Sequence, residues 1–83
     1  MSNIVVFNKV DLGQGRIVWV GVFAGMPFVN NETSKLQLFL DVLGVNEQVP
    51  ECDPISLQEF KKLVETNEVL KTVKSWKDVG IPI

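Results

Sequence analysis

Histidine and tyrosine are absent from the chain, and cysteine occurs once. The missing imidazole removes the commonest general base and the central member of the usual nucleophilic triads. With no His and one Cys, a structural zinc site built within one chain is excluded, and no metal or cofactor is expected. A single cysteine forms no internal disulfide. The fold must therefore stand without covalent cross-links, which suits a reducing, cytoplasmic setting. Cys52 lies between Glu51 and Asp53, whose negative charges disfavour the thiolate, so it reads as a spectator thiol.

Also lacking are a surplus of positive charge and a long apolar run. Formal net charge is −2 and the pI about 4.9. Proteins that live on phosphate backbones are usually basic, with Lys and Arg gathered on one face, so nucleic acid is not the expected partner. The longest uncharged stretch runs from Ile17 to Asn31 and contains Gly21, Gly25 and Pro27. It is shorter than the about 20 apolar residues that a bilayer demands, so no membrane association is expected. The N-terminus, Met1 to Phe7, has no basic region, and Asn8, Lys9 and Asp11 soon interrupt its apolar residues, so no targeting segment is read there. Asn31-Glu32-Thr33 fits the glycosylation acceptor pattern, which without a secretion signal is a chance match.

What is present is ordinary globular material. Hydrophobic residues make up 46% of the 83 and charged residues 22%, too apolar for a disordered chain and enough for one domain over 1–83. A core this small leaves modest stability, to which self-association is one possible addition. Ile4 to Val10 and Arg16 to Phe23 are rich in β-branched residues and read as strands. Asp11-Leu12-Gly13-Gln14-Gly15 between them supplies the glycines of a reversal, predicting a β-hairpin. A phosphate-loop reading of Gly13 and Gly15 would need a helix next, and a β-branched run follows instead. The second strand is apolar on both faces: Ile17, Trp19 and Phe23 on one, Val18, Val20 and Val22 on the other. A strand wet on one side alternates with polar residues. Either protein covers both faces or one face meets a partner.

Ala24 to Phe28 is a breaker segment. Asn30, Asn31 or Ser34 can then cap a helix, Ser34 with Gln37 fitting the capping box. Leu36, Phe39, Leu40 and Leu43 follow on one helical face, Leu38 and Val42 widen it into a largely buried helix, and Gly44 ends it. Val45 to Asp53 is a loop, with a short edge strand conceivable near Val49. Ser56-x-x-Glu59 is a second capping box, stapled by Ile55 and Phe60, so a helix starts at Leu57. At about 100° per residue, Leu57, Phe60, Leu63 and Val64 lie nearly opposite Val69, Leu70, Val73 and Trp76. A break at Thr66-Asn67, with Asn67 capping a third helix, removes the conflict, and Gly80 and Pro82 end that helix. The fold class is α+β: an N-terminal antiparallel hairpin, with room for a third short strand, packed with about three helices.

Candidate sites are few. Glu47, Glu51 and Asp53 match no calcium-loop spacing and read as solvated, as do Glu65 and Glu68. Lys71, Lys74 and Lys77 recur every three residues along the last helix. They read as its wet side, or alternatively as a stripe for phosphates or an acidic partner. Trp76 shares its helix side with Val69 and Val73 and reads as core. Trp19, Phe23, Met26 and Phe28 fall within ten residues, and Trp and Met are enriched at protein interfaces. These four are read either as core or as a patch that binds another chain. The expectation is a small, non-enzymatic protein-binding module that acts by occupancy on a larger protein or assembly, with a homodimer as a further possibility. Phage-borne and mobile-element inhibitors and adaptors share this profile, a class-level analogy only. The alternatives are a nucleic-acid-associated regulator using the three lysines, and a small enzyme subunit with a carboxylate and lysine site at an oligomer interface.

Overall fold

The computed structural model describes residues 5–83, so Ile4, expected in the first strand, lies outside the described residues. The hairpin forms as the β-branched runs demand. Strand β1 (Val5–Asp11) pairs antiparallel with β2 (Ile17–Phe23), with Phe7 opposite Gly21 and Lys9 opposite Trp19. At the reversal Gly13, Gln14 and Gly15 all take positive φ. The Asp11 carboxylate accepts the Gly13 N–H at 2.8 Å, a local bond typical of Asp in turns.

The segment Ala24 to Phe28, read as a breaker, is instead a turn followed by strand β3 (Met26–Asn30), which pairs antiparallel with β2. Ala24 and Gly25 are its two loop residues, with φ of 52° and 79°. Positive φ at both central positions is the condition for a tight turn whose twist matches that of the strands. Pro27 is tolerated because β3 is an edge strand: the sheet order is β3-β2-β1-β4. The short fourth strand is not at Val49; it is β4 (Ile55–Ser56), parallel to β1.

Helix α1 (Thr33–Val42) begins two residues earlier than the Ser34 box implies, with Glu32 at the N-cap and no side-chain cap. Gln37 is engaged elsewhere: its amide donates to the Glu47 carbonyl at 3.0 Å and accepts the Val49 N–H at 2.9 Å, tying the following loop to the helix. Gly44 closes α1 as expected. The Val45 N–H bonds back to Leu40 and the Gly44 N–H to Asp41, the paired bonds of a left-handed C-terminal cap. Helix α2 (Leu57–Thr66) starts at the predicted residue, the Ser56 hydroxyl accepting the Glu59 N–H at 3.1 Å.

A third α-helix does not form. The Asn67 side chain accepts the N–H groups of Val69 and Leu70, at 2.9 and 3.1 Å, and the chain then makes two 3₁₀ turns, Leu70–Thr72 and Trp76–Val79. The chain leaves the helical path at Val73 (φ −84°, ψ 123°) and Ser75 (φ −134°, ψ 84°), and with those breaks Leu70, Val73, Trp76 and Val79 are the inward positions.

Both faces of the sheet are covered, which resolves the question posed by β2. One core holds Val10, Val18, Val20 and Val22 with Phe60, Leu70, Trp76 and Ile81. The other holds Trp19, Leu36, Leu40 and Val45, flanked by Phe7, Phe23, Phe28 and Phe39. Side chains alternate along a strand, so each parity of β2 feeds one core: α1 and its loop cover the odd residues, α2 and the 3₁₀ turns the even ones. Among the described residues, no helix is long and apolar enough to cross a membrane.

Candidate apolar docking site

The expectation that α1 is largely buried does not hold. Leu36 and Leu40 are fully buried, but Leu38 is 64% exposed and Val42 77%. With Phe39 and Leu43 also apolar, the hydrophobic arc of α1 is wider than the sheet can cover. Phe39 and Leu43 turn toward β3, and the rings of Phe28 and Phe39 meet at 4.9 Å. Between them and the β2–β3 turn lies an open depression of about 410 Å³, lined by Phe23, Ala24, Met26, Pro27, Phe28, Phe39 and Leu43. No charged residue lines it. Met26, at its rim, is 71% exposed.

The four residues singled out in the sequence therefore separate. Phe23, Met26 and Phe28 line this depression. Trp19 does not: it is 3% exposed, packs edge-on against Phe7 at 5.5 Å, and donates its indole N–H to the Thr33 hydroxyl at 3.1 Å. The same parity that sends Phe23 to the α1 side sends Trp19 there too, but under the helix rather than beyond it. Phe39 and Leu43 of α1 complete the lining of the depression, and Leu38 and Val42 are exposed on the same helix. The signal in the sequence is the helix's surplus of apolar positions, more than one buried face requires.

Lys71, Lys74 and Lys77 are all exposed, but the α-helix expected to align them is absent, and Lys71 pairs with Glu68 at 3.8 Å. Trp76 is buried as expected, stacked edge-on with Phe60 at 5.2 Å. Glu51 and Asp53 join Lys9, Thr33 and the exposed Cys52 around a second, polar depression of about 580 Å³. Glu47 does not line it. There the Lys9 ammonium donates to the Cys52 carbonyl at 3.3 Å and sits 5.9 Å from the Trp19 ring centre, so its charge is already engaged. Among the described residues, no three His, Cys, Asp or Glu side chains gather as a metal-binding group.

What the apolar depression can do chemically is limited and clear. It offers aromatic and aliphatic walls to an apolar side chain and no group to move a proton. The chain matches no known family model, no curated protein and no solved structure.

Proposed function

We propose that this chain is a protein-binding module that works by occupancy, without a chemical step, in a reducing compartment. The observation that carries the reading is the apolar depression between the β2–β3 turn and α1, with Met26 exposed at its rim and Leu38 and Val42 exposed on the helix that walls it. An uncharged apolar patch rimmed by polar residues marks an association surface. Met and aromatic side chains are the anchors that such surfaces favour. Trp19 takes no part in the contact; it supports the helix that forms one wall.

The test is site-specific photo-crosslinking in the native host, with the reactive group placed at Met26 and, as control, at Lys61 on α2. A protein adduct is expected from position 26 and not from 61. With the captured partner purified, Met26→Asp should weaken binding by about 10- to 100-fold, the loss of one interface anchor, while Lys74→Ala leaves it unchanged. Binding that is lost with Lys74→Ala and kept with Met26→Asp would reverse the assignment.

A further inference from the structure

We propose that the surface around β3 docks a second copy of this chain, through antiparallel pairing of β3 with its mate and contact between the two α1 helices. The inference rests on the protein-binding reading above and names the occupant. Two features of that surface lack a backbone hydrogen-bonding partner or cover, although β3 also packs against the 3₁₀ turn Trp76–Val79. One is the outer edge of β3, which ends the sheet and receives no backbone hydrogen bond from elsewhere among the described residues. The other is the flank of α1. Gln37 anchors the opposite flank to the loop at Glu47 and Val49, and Phe39 meets Phe28 of β3. At about 100° per residue, Val42 follows Phe39 outward and Leu38 forms the crest.

A two-fold axis perpendicular to the sheet, passing beside Phe28 at the middle of β3, satisfies both features at once. Antiparallel pairing keeps each residue's face, so Met26 and Phe28 of both copies stay on the α1 side. The two depressions then join into one trough between two antiparallel helices. Self-pairing of this isologous kind needs one patch to complement itself, and this patch carries both a depression and protruding side chains.

Charge is compatible with the arrangement. The stretch from Ile17 to Asn31 has no charged residue, so the edge lacks the lysines that commonly protect exposed strands. Lys35, on the same flank of α1, is set toward the C-terminal end of its mate, where a cation is favoured. Pro27 removes one donor from the strand, so the ladder alone is short and the helix contact must contribute. The other sheet edge is only the two residues Ile55–Ser56, so pairing closes at two copies.

Sedimentation equilibrium on the full chain tests this, with amide exchange measured over the same concentration series. The expected result is a concentration-dependent doubling of the 9.3 kDa mass, with protection of the Val29 amide, which faces away from β2, rising in step. Val42→Asp should raise the dimer dissociation constant at least about tenfold, as loss of an interface anchor does, while Lys61→Glu does not. Val42 is exposed in the monomer, so the variant is expected to fold, and circular dichroism checks this. A monomer at millimolar protein, a dimer indifferent to Val42→Asp, or a dimer without β3 protection each overturns the proposal. A strict monomer that still crosslinks another protein from position 26 overturns the dimer and leaves the binding reading standing.

Discussion

Replacing Gly21 with alanine is expected to destabilise the domain by about 3 kcal/mol, against the usual sign for this substitution. Removing a glycine from a strand interior ordinarily gains about 0.5–1 kcal/mol, because glycine loses the most backbone freedom on folding. Gly21 is buried in β2 on the side that faces α1. A Cβ there would overlap the Val6 carbonyl oxygen, lie 2.6 Å from the Phe28 ring and 2.9 Å from the Phe7 Cβ. Overpacking a core by a methyl costs about 1–3 kcal/mol, and more where the backbone must move. The tightest neighbour here is backbone of the adjacent strand, so the upper end applies. Small domains have about 5 kcal/mol in total, so the variant should be barely folded. Urea unfolding followed by tryptophan fluorescence and far-UV circular dichroism reads the effect. At about 1 kcal/mol per molar urea, the midpoint should fall by about 3 M. Adding Phe28→Leu relieves the ring but not the carbonyl, so the double variant should recover less than half of the loss. A Gly21→Ala protein as stable as the parent would refute the packing described for the sheet.

Other expectations concern single hydrogen bonds and dihedral angles, each read by the same denaturation assay. Ala24 holds φ at 52°, which costs a β-carbon-bearing residue about 1 kcal/mol; Ala24→Asn suits the turn better and should raise stability by about 0.5–1 kcal/mol. Ser56→Ala removes the hydroxyl that caps α2 and should cost about 1 kcal/mol. Asn67→Ala strips the acceptor from two backbone N–H groups and should cost about 1–2 kcal/mol, while Asn67→Asp, which keeps the acceptor, should cost clearly less.

Much of the fold was legible because its signals are local. The hairpin, the start of α2 at Ser56 and the end of α1 at Gly44 each follow from a few residues whose side chains or φ angles act on their own backbone. What escaped depends on partners distant in sequence. Met26–Asn30 becomes a strand only because β2 is there to pair with it, which outweighs the punctuation of Gly25 and Pro27. The third helix is replaced by two short turns because the chain leaves the helical path at Val73 and Ser75, positions with no local stop signal. For the candidate site, Phe23, Met26 and Phe28 were found from aromatic density, but the same density brought in Trp19. Density does not distinguish a ring under a helix from one beyond its edge. Leu38 and Val42 are exposed, since apolar character alone does not imply burial.

The sheet divides the interior into two greasy compartments with no side chain common to both. Leu40 lies in one and Leu70 in the other, each fully buried. Damage on one side thus has no direct route to repacking on the other, and mild truncations, one on each side, should give losses that simply add. For anyone altering the molecule, the layer beneath α1 can be redesigned while the layer beneath α2 serves as an unperturbed internal standard.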